Sequence, residues 1–261
     1  MEASLAFIAT VVATLFAQAT LARATRYRRP QDGAWAFALA TFALASAALF
    51  IGVTTGWDNG TFRAFYLLGA ILSVPWLALG TIYLIHGRII GRRVQWCIVA
   101  FSGMAIGAML TCAVAPGIGG SSIPVGKAVL PVLPRVLASS GSGLGALVII
   151  IGAVLSAIRW MSKPGPVARR RAIANALIAL GTLILSGGGL VQGSVGKDTA
   201  FAASLALGIS VIYAGFLVTS GAGAEPPTVN VASADVASVD ESSADAALIE
   251  PSSSTLTSSS S

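Results

Sequence analysis

The residue types that bind metals or move electrons are scarce in this chain. His86 is the single histidine, and the two cysteines, Cys97 and Cys112, lie in one apolar run. Fifteen residues of helix would separate the two sulfurs by about 22 Å, which is too far for a disulfide. A lone imidazole cannot complete a haem or metal site without further ligands. The sequence therefore predicts no metal and no cofactor.

Two glycine-rich stretches have the composition of catalytic loops but the wrong spacing. In GGSSIPVGKA, five residues separate Gly120 from Gly126 where a phosphate-binding loop has four, and Ala128 replaces the Ser or Thr that such a loop needs. In SSGSGLG, Ser142 lies in the wrong pattern for a protease, and the only histidine is predicted at the opposite membrane face. We therefore predict that the protein is not an enzyme.

Carboxylates are confined to the predicted loops or their edges, where Asp32, Asp58 and Asp198 lie. Ion-coupled transporters commonly place ionisable residues near the middle of the bilayer. The distribution of acids therefore disfavours ion-coupled pumping. The last apolar run also lacks an internal lysine, which disfavours a retinal-binding protein.

The stretch RAFYLLGAILSVPWLALGTIYLIHGR, residues 63–88, holds the strongest candidates for a binding cavity. Pro75 has no N–H, so it should kink the helix or free a carbonyl within it. Pro75 and Trp76, with Tyr66 and Tyr83, are candidates to line a cavity at this point. The alternative is a packing kink flanked by aromatic residues at the membrane interface.

Charged residues suggest two further sites. Arg63 and Asp58 are one turn apart and are candidates for an ion pair at the outer rim. Clustered arginines at the ends of apolar runs are candidates to bind anionic lipid headgroups. These are Arg26, Arg28, Arg29, Arg92, Arg93, Arg169, Arg170 and Arg171.

The elements that must position these residues are membrane helices. Of 261 residues, 55% are hydrophobic and 10% are charged, and the mean hydropathy is +0.83, whereas a soluble domain has about 25% charged residues. Seven apolar runs have the length needed to cross a bilayer as helix. They cover about residues 4–21, 34–55, 65–85, 95–114, 144–160, 172–191 and 201–220. The predicted fold is an all-α, seven-span bundle over residues 1–220.

Basic residues gather in every second loop. One set comprises Arg23, Arg26, Arg28, Arg29, Arg88, Arg92, Arg93, Arg159, Lys163, Arg169, Arg170 and Arg171, and the other comprises Arg63, Lys127, Arg135 and Lys197. The excess on one side predicts the N-terminus outside and the C-terminus inside. Membrane flanks explain the net charge of +6 better than nucleic-acid binding does, so no nucleic-acid partner is predicted.

The chain beyond the seventh run has a different composition. Residues 221–261 contain six acids, no Lys or Arg, and a serine-rich end. Such a segment cannot bury enough apolar surface to offset the entropy of ordering. We predict a disordered, acidic cytoplasmic tail.

Three looser patterns remain open. The layouts around Arg29 and Arg171 are similar and suggest a parallel repeat of three helices, one connecting helix and three more. The apolar, proline-broken loop 115–143 is predicted either to lie in the outer interface or to fold back over the bundle as a lid. Gly103 and Gly107 form a GxxxG pair typical of close helix contacts, within the bundle or in a dimer.

The alanine-rich spans, the segment FRAFYLLGAILSVPWLALGTIYL and the arginine-flanked loops resemble the uncharacterised seven-helix integral membrane proteins of actinobacteria. The resemblance covers about residues 1–220 and implies a multi-pass protein of the bacterial plasma membrane, with no activity attached.

Two functions are compatible with these patterns. The first is passive binding or facilitated transport of a small neutral or amphipathic molecule near Pro75 and Trp76. The alternative is a scaffold or accessory subunit that does not transport and that binds partner helices, a second copy or anionic lipid.

Overall fold

The computed structural model describes the backbone of residues 1–114, 118–195 and 198–221, and the side chains of residues 1–114, 118–189 and 198–218. Of these residues 89% are helical, and none is in a strand. The helices are α1 (Glu2–Tyr27), α2 (Pro30–Thr55), α3 (Asn59–Phe65), a π-helix (Tyr66–Leu72), α4 (Ser73–Thr111), α5 (Gly126–Val129), α6 (Val132–Met161), α7 (Pro166–Val195) and α8 (Asp198–Gly221). The tail predicted beyond α8 lies outside the described residues.

Six stretches of the described chain are helical, long and apolar enough to cross a membrane. They are Glu2–Tyr27, Pro30–Thr55, Asn59–Thr111, Val132–Met161, Pro166–Gly189 and Asp198–Val218. The fold is all-helical, as predicted, and it is compatible with a multi-pass membrane protein.

The third stretch is a hairpin rather than one rod. Gly87 interrupts α4 with φ 78° and ψ −173°, a conformation that is essentially restricted to glycine. The chain reverses there: Trp76 Nε1 donates to Ser102 Oγ at 3.1 Å, and Arg63 Nη2 donates to the Cys112 carbonyl at 2.8 Å. Residues as far apart as 63 and 112 would lie about 74 Å apart in a straight helix. We call residues 59–86 the first arm and residues 88–111 the second arm of the 59–111 hairpin.

Pro75 distorts the first arm in the turn that precedes it. The Ser73 N–H bonds to the Leu68 carbonyl, five residues back, within the π-helix Tyr66–Leu72. In this register the Ala70 carbonyl would receive its bond from residue 75, and proline has no N–H to give. Ser142 of α6 supplies the missing donor, with its Oγ 2.5 Å from the Ala70 oxygen. The freed carbonyl predicted from Pro75 is thus satisfied by a neighbouring helix.

Small residues let α6 lie close to the first arm. An added Cβ on Gly145 would lie 3.1 Å from the Val74 carbonyl carbon and oxygen, and one on Gly141 would lie 3.2 Å from the Pro75 ring. The glycines of SSGSGLG, a stretch with the composition of a catalytic loop, therefore allow α6 to pack closely against the first arm. Gly103 and Gly107 have nothing within 4 Å of an added Cβ. Their GxxxG pair faces outward and makes no contact within the described bundle.

The helices pack in chain order, and α8 closes the arrangement by packing against α1. The basic turns meet at one end: Pro30 shares a pocket with Arg88, and Gly152 of α6 faces Ile85. At the other end, Thr199 Oγ1 donates to Glu2 Oε1 at 2.6 Å. The turns that contain most of the arginines therefore lie at one end of the described bundle.

The described loop before α6, residues 118–131, folds back onto the bundle. The Trp57 N–H bonds to the Gly120 carbonyl at 3.1 Å, the Ile123 N–H bonds to Asp198 Oδ2 at 2.8 Å, and the side chains of Ile123 and Leu130 are buried. Of the two arrangements left open for this loop, the described residues adopt the one that folds back.

The loop is shorter than the predicted range 115–143, because α6 begins at Val132. Pro131 is the N-cap residue of α6, and Pro134 lies in the first turn. The N–H groups at these positions have no partner within a helix, so proline costs little there. Counting these prolines as helix breakers made the predicted loop too long.

Candidate functional site

An open depression of about 280 Å³ lies where the 59–111 hairpin turns. It is lined by Pro30, Tyr83, Arg88, Arg92 and Gln95. We call it the hairpin-turn pocket. It combines two cationic side chains, a phenol and an amide beside the first residue of α2.

The second arm places three of these side chains on one face. Residues 88, 92 and 95 have the i, i+4, i+7 spacing that aligns side chains along a helix. Because the hairpin reverses at Gly87, this face is turned toward Tyr83 at the end of the first arm. Arg88 and Arg92 are exposed, whereas Gln95 is half-buried and Tyr83 is buried.

Close packing fixes the position of Tyr83. Its ring lies directly over Gly91, where any Cβ would overlap the ring. Its hydroxyl donates to Gln95 Oε1. The amide nitrogen of Gln95 thereby keeps its donor N–H groups for another partner. The first arm and the second arm are therefore joined at the pocket by a hydrogen bond between two lining residues.

The start of α2 adds positive potential to the pocket. Pro30 is the first residue of this helix, and the N-cap residue Arg29 makes no side-chain capping bond. The N-terminus of a long helix carries roughly half a positive charge. The pocket therefore unites two guanidinium groups with the first turn of α2, where the buried Asp32 offsets part of the positive dipole end.

The nearest acid along the chain is directed elsewhere. Asp32 is 1% exposed, and its Oδ1 lies 3.9 Å from Arg23 Nη2 of α1. The carboxylate thus interacts with a side chain of α1 at the contact between α1 and α2. The sequence placed Asp32 at a loop edge and gave no sign that it would be buried.

The four residues predicted to line a cavity near Pro75 are spread along the first arm. Tyr66 and Tyr83 lie about 25 Å apart along the helix. Tyr83 lines the hairpin-turn pocket, whereas Tyr66 packs against Gly126 in the loop before α6. The structure does not bring the four together around one space.

Pro75 and Trp76 are engaged by neighbouring helices. Pro75 is buried and lies near Gly141 of α6. The Trp76 ring lies 4.4 Å from that of Phe37, and its indole N–H donates to Ser102 of the second arm. Both side chains thus contribute to packing between helices.

The predicted outer-rim pair, Arg63 and Asp58, bond to different partners. The Arg63 guanidinium donates to the carbonyls of Met109, Leu110 and Cys112, and so caps the end of the second arm. Asp58 accepts from the side chain and N–H of Thr61 and from the Gly60 N–H, and these bonds lower the pKa of its carboxyl below the ordinary 3.8. Asp58 caps the start of α3, and Arg63 caps the end of the second arm. The ion pair expected between them is absent from the described contacts.

The arginines predicted to meet lipid headgroups are all exposed at the basic end. Aromatic rings accompany several of them. Arg26 and Arg29 lie over Tyr27, with Cζ to ring-centre distances of 5.5 and 5.4 Å, and Arg171 lies 4.5 Å over Trp160. Cationic and aromatic side chains together are typical of the membrane–water interface. Within this set, Arg92 is the member that lines the pocket.

The residues with metal or redox chemistry remain separate. Among the described residues, no group of three or more His, Cys, Asp or Glu side chains is placed to hold a metal ion. His86 and Cys97 are exposed, and Cys112 is half-buried without a disulfide.

No known protein family model and no curated protein matches this chain.

Three lining residues, Pro30, Arg88 and Gln95, were missed as site residues. A turn centred on Gly87 would have brought the i, i+4, i+7 face of the second arm against Tyr83. The signal was the pattern HGRIIGRRVQ, in which arginines follow a glycine. The apolar runs 65–85 and 95–114 predict two spans joined through this stretch, but they do not specify the turn at Gly87 or the face that it brings to Tyr83.

Proposed function

We propose that this protein binds an amphipathic molecule with an anionic head in the hairpin-turn pocket, without chemical change to it. The proposal is supported by the lining: Arg88 and Arg92, the Gln95 amide and the start of α2 border one open depression whose accessible wall is mainly apolar. A membrane protein meets such molecules as lipids, whose charged heads lie at the depth where transmembrane helices turn.

The proposal includes seven membrane spans, with the pocket on the cytoplasmic side. The two arms supply about 42 Å and about 36 Å of helix, each longer than a hydrocarbon core of about 30 Å. If both cross, the described helices make seven crossings, and the positive-inside rule places the basic end in the cytoplasm of a bacterial cell. The N-terminus then lies outside and the C-terminus inside.

Binding fits the geometry better than transport through the middle of the bundle. Around Pro75, the described polar groups bond to protein partners: Ser142 to the Ala70 carbonyl and Trp76 to Ser102. At the hairpin turn, the side chains of Arg88 and Arg92 border an open depression instead. The proposed site is therefore the turn, and Pro75 serves packing.

The test is ligand-dependent unfolding of the detergent-purified protein against lipids, quinones, sugars and amino acids. We expect an anionic lipid to stabilise the wild type by more than about 1 kcal/mol at saturating concentration. Arg88→Gln with Arg92→Gln should abolish the shift. Arg93→Gln is the matched control, because Arg93 is exposed on the same arm but does not line the pocket.

The control variant makes the outcome specific. Equal loss of stabilisation in Arg93→Gln and in the double variant would indicate a diffuse charge effect and contradict a binding site. If Trp76→Ala abolishes the ligand-induced stabilisation and the double variant retains it, the binding site lies in the middle of the first arm.

A second candidate function, a scaffold for partner helices, is favoured by one observation. Gly103 and Gly107 present an open surface on the exposed side of the second arm. Small-residue surfaces of this kind allow close helix contact in lipid. Gly107→Leu should then release a stoichiometric partner or dissociate a dimer in mild detergent. An unchanged monomer in both proteins would contradict the scaffold.

A further inference from the structure

We infer that the hairpin-turn pocket selects a phosphate monoester, the doubly charged head of a membrane lipid. This inference rests on the function proposed above and adds the chemical class of the head. Three features of the pocket carry it: its charge, its donor geometry and its volume.

The charge of the lining favours a dianion. Of the five described residues that line the cavity, two are arginines and none is acidic. Asp32 lies at Arg23, on the side of α2 that faces α1. An anion with two negative charges balances the two guanidinium groups, whereas a carboxylate or phosphodiester balances one. A phosphate monoester with a second pKa near about 6 is such a dianion at neutral pH.

The donors are suited to phosphate oxygens. Each guanidinium presents a planar fork of N–H groups that can bond two oxygens of one phosphate. Arg88 and Arg92 are one helical turn apart on the same face. The amide nitrogen of Gln95 adds neutral donors, since the Tyr83 hydroxyl donates to its oxygen. A flat carboxylate has too few oxygens to use all of these groups.

The volume and surroundings favour a lipid over a free soluble phosphate. At about 280 Å³ and open to its surroundings, the pocket can hold a phosphate head while the rest of a lipid lies outside it. Apolar side chains next to the turn are exposed and offer a surface for acyl chains. They are Leu84, Ile85, Ile89 and Ile90. The head would occupy the pocket while the chains lie along the outside of the hairpin.

The experiment is a titration of the full-length protein in nanodiscs or maltoside micelles with short-chain lipids. The probes are phosphatidic acid as the monoester, phosphatidylglycerol as the diester, and a fatty acid as the carboxylate. We expect phosphatidic acid to bind at least about tenfold more tightly than the others, and the Arg88→Gln, Arg92→Gln double variant to lose about 30-fold. Arg93→Gln should retain wild-type affinity.

The pH profile supplies an independent readout. Affinity for phosphatidic acid should rise between about pH 5.5 and 7.5, as the second phosphate proton is lost, while affinity for phosphatidylglycerol stays level. His86 lies beside the turn, so the profile is repeated in His86→Gln and should be unchanged.

The outcomes separate the two proposals. Arginine-dependent binding of all three probes with equal affinity would overturn the monoester inference and leave the proposed binding function in place. No arginine-dependent binding of any probe would overturn both. Glycerol 3-phosphate that competes as strongly as the lipid would overturn the assignment to a membrane lipid and identify a soluble phosphate instead.

Discussion

Polar groups have different partners in the middle of the 59–111 hairpin and at its turn. In the middle, Pro75 deprives the Ala70 carbonyl of a donor, and Ser142 of the neighbouring helix replaces it. At the turn, Arg88 and Arg92 border an open cavity and bond to none of the helices around them in the described contacts. A proline in a membrane helix therefore marks a packing site when a neighbour satisfies the freed group. Polar side chains that converge on a cavity mark the better candidate for a ligand.

Gly145→Leu tests the packed region and should have the largest effect on stability. A Cβ there already lies 3.1 Å from the Val74 backbone, which cannot move aside as a side chain can. We expect a loss of about 1–3 kcal/mol in equilibrium unfolding in mixed micelles. Gly103→Leu is the matched control, since nothing lies within 4 Å of Gly103, and it should change stability by less than about 0.5 kcal/mol. Equal effects of the two substitutions would contradict the described α6 contact.

Gly87→Ala tests the backbone conformation of the turn without changing a side chain of either arm. With φ 78° and ψ −173°, any side chain at residue 87 is strained, by about 1–3 kcal/mol. Part of this strain should appear as a weaker affinity for the pocket ligand, because the turn sets the second arm against Tyr83. Unfolding and lipid titration measure the two effects on the same sample. Gly165→Ala, at a positive φ in the turn after α6, is a control that should spare the affinity.

Ser142→Ala should cost about 1 kcal/mol by leaving the Ala70 carbonyl without a donor. Pro75→Ala restores an N–H to the first arm at the residue that could donate to this carbonyl. In the Pro75→Ala background, the loss caused by Ser142→Ala should therefore fall toward zero. A double-mutant cycle measures the difference, and strict additivity would refute the link between proline and serine.

Asp58→Asn should have the smallest effect, confined to acid pH. Hydrogen bonds from Thr61 and Gly60 lower the pKa of Asp58, so its stabilising contribution is present above pH 3.8 and is lost as pH falls through the lowered value. The wild type should lose more stability than Asp58→Asn between about pH 6 and pH 3. Unfolding midpoints at the two pH values measure this, and identical losses would show that Asp58 contributes nothing.

Much of the fold follows from composition and charge. Each apolar run overlaps a described helix, although α6 begins well before the run at 144–160, and the basic turns lie together at one end. Both features depend on local sequence. Pro75 likewise predicted a freed carbonyl. The partner of that carbonyl, Ser142, could not be predicted, because it depends on the approach of a helix that begins far along the chain.

The candidate site was less predictable. The sequence places the aromatic residues Tyr66, Trp76 and Tyr83 on one helix. In the structure each contacts a different residue: Gly126, Ser102 and Gln95, respectively. The pocket depends on how the second arm turns back on the first, and so on the single backbone conformation of Gly87. No periodicity in the sequence reports that conformation.

Cysteine accessibility tests the hairpin most directly. In a background with Cys97→Ala and Cys112→Ala, single cysteines at Asn59, His86 and Thr111, all exposed positions, are exposed on intact cells to a membrane-impermeant maleimide. A hairpin with seven crossings predicts labelling of Asn59→Cys and Thr111→Cys from outside, and of His86→Cys only after permeabilisation. If Asn59→Cys and Thr111→Cys are labelled from opposite sides, the 59–111 segment crosses once, and the cytoplasmic pocket is contradicted.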